Sequence, residues 1–142
     1  MERGEWEQLL IVLQQQSETI QRWLPTDPEP TALRCEHSKH RTLAHLRACQ
    51  EQWLVVANRF IERPSPNVTI LHPWRQFDAK DYANLAWEVH LTKFVADRNQ
   101  WLSFRNGVDW ERGGKWNRKS DSIAGLTKRL VEHEAYHITI CR

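Results

Sequence analysis

The sequence predicts an all-α fold, a four-helix bundle with long irregular connections. Apolar residues recur at steps of three and four in four separate segments. Proline and glycine clusters interrupt the chain between those segments. At 142 residues, with 40% hydrophobic and 27% charged side chains, the chain has the size and balance of one soluble domain spanning residues 1–142.

The first helix is expected near residues 3–24, where Trp6, Leu9, Leu10, Leu13, Ile20 and Leu24 share a stripe. Pro25, Pro28 and Pro30 forbid its continuation, because proline lacks an amide donor and clashes with the preceding turn. A polar loop leads to Ser38, a suitable cap for a second helix over 39–62 that aligns Leu43, Leu46, Cys49, Trp53, Val56, Ala57 and Phe60. Arg63-Pro64-Ser65-Pro66 stops it. The connection from Arg63 to Lys80 is long for so small a domain, and such a segment either crosses the bundle or builds a site. Within it, Val68 to Leu71 reads as an extended piece and not as part of a sheet. A third helix over 81–105 aligns Trp87, Leu91, Phe94, Arg98 and Trp101 and ends at Gly107. Residues 106–121 read as a turn-rich surface loop, with Arg112, Lys115, Arg118 and Lys119 solvated rather than binding phosphate. The fourth helix, over 121–141, has a regular seam of Ile123, Leu126, Leu130, His133, His137 and Ile140, the spacing of inward positions in a bundle.

Composition narrows the function classes. A formal charge of +2 supplies too weak a field for a dedicated nucleic-acid binder. The apolar run Leu9 to Leu13 is too short for a signal peptide, and no stretch approaches the roughly 20 apolar residues of a membrane span, so a cytoplasmic protein is expected. Cys35, Cys49 and Cys141 form no CxxC pair and suit reduced thiols; the Asn67-Val68-Thr69 glycosylation pattern would then carry no meaning. Tryptophan is abundant, with eight residues. Trp6, Trp23, Trp53, Trp87 and Trp101 fall in helical patterns as core residues. Trp74, Trp110 and Trp116 fall in connections, where an indole more often caps the end of a core than binds a ligand.

Two histidines stand where the fourth helix should carry aliphatic residues. Histidines four apart lie one above the other on a helix, so both imidazoles can reach one ion. A divalent ion would satisfy a nitrogen of each, and a pair hydrogen-bonded at a wet bundle end is the alternative. His133-Glu134-Ala135-Tyr136-His137 also matches the HExxH pattern of zinc proteases, in which the glutamate is the general base. Only residues 138–142 follow, so a third ligand is expected upstream and Glu134 is expected to support the site or face solvent. His45, on the apolar side of the second helix, can face the fourth helix, and His90 on the third is the weaker candidate. His37, His40 and His72 read as surface residues. Cys49 offers a soft ligand or a reactive thiol, with a small core residue as the preferred reading.

Three segments, in order, resemble the DinB-like (YfiT-like) family of four-helix metal proteins. They are Arg41 to Leu46, containing a His-Leu pair at His45-Leu46; Phe94 to Leu102, followed by Val108-Asp109-Trp110; and Leu130 to His137. The resemblance covers roughly residues 31–142. It implies that His45, His133 and His137 coordinate one divalent ion, zinc or nickel first among the choices. The chain departs from the family at Ile140, where relatives often carry glutamine.

The resemblance further implies a metal-dependent enzyme, a thiol-dependent transferase using a low-molecular-weight thiol or a hydrolase, acting on a small-molecule substrate. It also allows a homodimer, and it assigns no catalytic residue beyond the ligands. A non-catalytic metal-binding or interaction bundle is the alternative. Because three imidazoles leave open positions on an ion, the connections 63–80 and 106–121, with their tryptophans, are expected to frame the site more closely than 25–38.

Overall fold

The computed structural model describes residues 1–25 and 38–140. The chain is mainly helical, with α1 (Arg3–Gln21), α2 (Lys39–Glu62), α3 (Pro73–Ala79), α4 (Trp87–Leu102) and α5 (Ile123–Ile140). Short 3-10 turns at Tyr82–Asn84 and Ser103–Arg105 flank α4. Strands β1 (Asn67–Val68), β2 (Gly113–Trp116) and β3 (Lys119–Ser122) form one small sheet. Pro28, Pro30, Cys35, His37 and Cys141, which entered the sequence reading, lie outside the described residues.

Local chemistry sets the helix ends. The Ser38 hydroxyl accepts from the Arg41 amide at 3.1 Å and caps α2 where expected. Helix α1 stops at Gln21, because the Arg22 and Trp23 amides tighten onto the Thr19 and Ile20 carbonyls. Trp23 is thereby buried, while Leu24, expected on the apolar stripe, is 73% exposed. The third long helix does not begin at residue 81. Asp81 adopts the left-handed conformation (φ 55°) and Leu85 and Ala86 are extended, so α4 starts only at Trp87. Ser122 caps α5 by accepting from the Gly125 amide at 3.0 Å.

The sheet corrects two expectations, the absence of any sheet and a purely turn-rich 106–121. Asn117 and Arg118 take positive φ (47° and 70°), the two left-handed residues of a tight hairpin turn joining β2 to antiparallel β3. Strand β1 pairs parallel to β2, with Val68 opposite Trp116. The Asn117 side chain extends that pairing, accepting from the Ile70 amide at 2.9 Å and donating to the Ile70 carbonyl at 3.1 Å. A Cβ on Gly114 would lie 2.5 Å from the Pro66 carbonyl oxygen, so glycine is what admits the approach of β1. Such short strands hold too few residues to show an alternating pattern in sequence.

Connection 63–80 also contains α3, which no periodic stripe announced. Pro73 occupies its first turn and the His72 Nδ1 accepts from the Trp74 amide at 3.3 Å. Helix α1 packs on α4 and α5, and α2 packs on α3, α4 and α5. One apolar cluster gathers Trp6, Leu13, Phe60, Trp101, Ile123 and Leu126, and a second gathers Ile20, Leu43, Leu46, Trp87 and Phe94. A buried polar set also crosses the interior. Arg98 donates from Nε to Gln50 Oε1 at 2.6 Å and from Nη1 to the Leu13 carbonyl at 2.8 Å, and its Nη2 pairs with the Glu134 carboxylate. No helix among the described residues is long and apolar enough to cross a membrane.

Candidate metal centre

Helix α2 supplies His45 and α5 supplies His133 and His137, one turn apart on the same face. One nitrogen from each of the three rings can be chosen so that all lie within 4.8 Å of one another, which is close enough to hold a metal ion. The shortest separation, His45 Nε2 to His133 Nε2, is 3.1 Å. Two nitrogens each about 2.0–2.1 Å from a zinc-like ion stand roughly 3–3.4 Å apart for coordination angles between a right angle and the tetrahedral value. The observed spacing falls in that range. Both His45 Nδ1 and His133 Nδ1 are buried without a hydrogen-bond partner among the described residues. With the ring protons on Nδ1, both Nε2 lone pairs face one another, and a cation held between them would satisfy both.

All three imidazoles are biased toward the neutral form that ligates metal. Burial lowers the His45 pKa to about 3, reinforced by His133, His137, His72 and Arg41. Burial and then His137 lower His133 to about 4, and burial lowers His137. Aromatic side chains fix the rings. Trp74 stacks on His45 with centroids 4.4 Å apart, Trp53 meets His133 edge-on at 5.8 Å, and Tyr136 meets His137 at 5.2 Å.

The histidines stand between two cavities. The larger, about 430 Å³, is lined by His45, His133, Cys49, Trp53, Trp74 and Trp116, with Ile70, Leu71 and Lys119 among its other walls. The smaller, about 190 Å³, lies on the side of His137, Arg41 and Tyr136, and His45 and Trp74 border both. No protein-family model, curated protein or solved structure matches the chain. What the residues can do must therefore be read from their own geometry.

The structure brings His45, His133 and His137 together, leaves Cys49 and His72 in the lining of the larger cavity outside that set, and sends His90 and His40 elsewhere. His90 is fully buried, with Nε2 toward the Tyr82 carbonyl at 3.1 Å and Nδ1 toward Arg47 Nη1 at 3.2 Å. His40, read as a surface residue, is buried against Trp87 and His90. His72 is exposed as expected, but it caps α3 and borders the larger cavity. Cys49 is a buried free cysteine whose thiol pKa is pushed up by burial and then by Glu134, which favours the protonated thiol. Glu134 does not face solvent, and its ion-pair partner is Arg98. It is 0% exposed, and burial pushes its carboxyl pKa up while Arg98 opposes that shift. Ile140 leaves the inward seam and is 41% exposed.

Of the three connection tryptophans, Trp74 and Trp116 line the larger cavity, and Trp110 instead stacks on Trp6 at 5.9 Å. Connections 63–80 and 106–121 thus do reach the site, whereas most of 25–38 lies outside the described residues. Trp53, read as core, was missed as a wall. The one signal for this cavity was the length and tryptophan content of the connections.

His90 sets up a pH test. Arg47 can only donate, so His90 Nδ1 must accept, and protonation there would oppose a guanidinium. Burial lowers its pKa to about 4; the Tyr82 carbonyl and Glu51 oppose this, while Arg47 and His40 add to it. An unfolded histidine titrates near 6.5. As pH falls below that value the unfolded chain takes up the proton first, so this residue's share of stability, complete above 6.5, is lost on the way to 4. The expected loss is about 2 kcal/mol by pH 5. Urea midpoints at pH 7.5 and pH 5 should fall further for wild type than for His90→Gln. Equal falls would refute this role.

Proposed function

We propose that the chain is a DinB-like metal-dependent enzyme, a thiol-dependent transferase or hydrolase using zinc or nickel held by His45, His133 and His137. The observation that carries this reading is the convergence of three imidazoles, biased toward neutrality, at the wall of a tryptophan-lined cavity. The helix contacts support its four-helix-bundle part, since α1 and α2 each pack on both α4 and α5. Three protein ligands leave positions open for substrate or solvent, the arrangement that separates a catalytic site from a closed structural one. When bound, such an ion supplies Lewis acidity and lowers the pKa of a thiol or water at its open side.

The chain's own residues would orient and shield. Trp74 and Trp53 hold the His45 and His133 rings, while Ile70, Leu71 and the indoles keep the larger cavity apolar. Glu134 cannot serve as the base that HExxH peptidases require, because Arg98 holds it inside the protein. In this reading the partner is a small molecule rather than nucleic acid or a membrane, and the setting is the cytoplasm, with a homodimer allowed. The test is metal analysis after chelator-free purification. Turnover assays would follow, pairing bacillithiol, mycothiol or glutathione with an electrophile, and ester hydrolysis alongside. About one zinc or nickel ion per chain is expected, with turnover lost on chelation and restored by metal. A metal-loaded chain inert in every assay would favour the non-catalytic bundle, and a chain that takes up no metal would end the reading.

A further inference from the structure

The larger cavity carries information about charge as well as shape. Trp53, Trp74 and Trp116 provide flat apolar walls, and no aspartate or glutamate is among its lining residues. Lys119 stands in that lining with its ammonium 5.2 Å from the centroid of the Trp116 ring. Among the described residues it forms no ion pair. Asp121, the acid hydrogen-bonded to the Trp116 indole, is engaged by Arg129 at 2.8 Å, so it leaves Lys119 uncompensated. The hairpin places Lys115 and Arg118 at an adjoining cavity that shares Ile70 and Asn117, and neither forms an ion pair among the described residues.

An apolar slot with a cation and no anion is poorly matched to a cationic ligand, which would lose hydration without gaining a partner. It suits an organic anion, whose apolar body stacks on indoles and whose charge meets the exposed Lys119 ammonium in the lining. A volume of about 430 Å³ admits a ligand of one or two fused rings. We propose that this cavity binds a small organic anion with a flat apolar body, the body among Trp53, Trp74 and Trp116 and the anionic group at Lys119. The ligand so described is the substrate class of the proposed enzyme, and only that last step rests on the metal reading. A metal held by neutral histidines would add positive charge to the same lining and reinforce the preference.

The test uses three probes of one shape, 2-naphthoate, 2-naphthamide and 2-naphthylmethylammonium, titrated calorimetrically into the full chain as purified and after chelation. Naphthoate should bind at least about 10-fold more tightly than naphthamide in both samples, with the ammonium probe weakest. Lys119→Gln should abolish most of the naphthoate preference in the chelated sample and leave naphthamide binding unchanged. Trp74→Leu should weaken naphthoate and naphthamide together, with circular dichroism confirming that the variant folds. Equal binding of naphthoate and naphthamide by wild type, no binding of either, or a preference that survives Lys119→Gln in the chelated sample would overturn the inference. Because the chelated sample is scored separately, an anion preference without metal uptake would sink the metal reading alone. Metal uptake without an anion preference would sink this inference alone.

Discussion

Replacing His133 and His137 together with alanine is expected to abolish the divalent-metal binding proposed for the wild type and any thermal stabilisation that comes with it. Both rings belong to α5, and each supplies one of the three nitrogens that meet within 4.8 Å. The double variant retains only His45, whose single nitrogen cannot chelate. Each single alanine variant at His45, His133 or His137 should lose more than the roughly 10–100-fold that changes to supporting residues cost. For the wild type, metal at about 100 times its dissociation constant adds about 2.7 kcal/mol to folding stability. In a domain of this size that is an upward shift in Tm of roughly 5–15 °C. The double variant should show no shift. His72→Ala is the control, since His72 borders the cavity without belonging to the converging set, and it should retain metal. Equal metal content in wild type and the double variant would remove the assignment.

Removing Arg98 should be the most damaging single change to the fold. Its guanidinium is fully buried and serves three acceptors on three other helices, Gln50 on α2, the Leu13 carbonyl on α1 and Glu134 on α5. Arg98→Met leaves a buried carboxylate and two buried oxygens without their donor, a loss of about 3–5 kcal/mol. Glu134→Leu should cost a similar amount by stranding the guanidinium. The pair Arg98→Met, Glu134→Leu removes both charges, so its cost should fall well short of the sum of the singles. Urea denaturation of the four proteins measures the coupling, and simple additivity would show that the pair does not act as a unit. The double variant should also keep its metal, since neither side chain is among the converging ligands. Loss of metal from a folded double variant would instead give the pair a part in holding the site.

The sequence by itself determined the long helices and two of the converging histidines, because both signals are local. A period of three and four needs only neighbouring residues, and two histidines one turn apart must share a face once the helix forms. His45 was legible as a candidate from its place on the apolar side of the second helix, and connections 63–80 and 106–121 from their length and tryptophans. Tertiary structure decided the rest. The sheet depends on Val68 meeting Trp116, a pairing between distant residues that their own composition does not encode. The fate of Glu134 depends on Arg98, a residue in the expected apolar stripe whose charge is tolerated only because three acceptors from other helices surround it. Trp74 reached the histidines and Trp110 did not, because α3 seats one on His45 while the other stacks on Trp6 of α1. Helical period fixes which face a residue occupies, but what that face meets is set by which other elements arrive there, and that is information no local stretch contains.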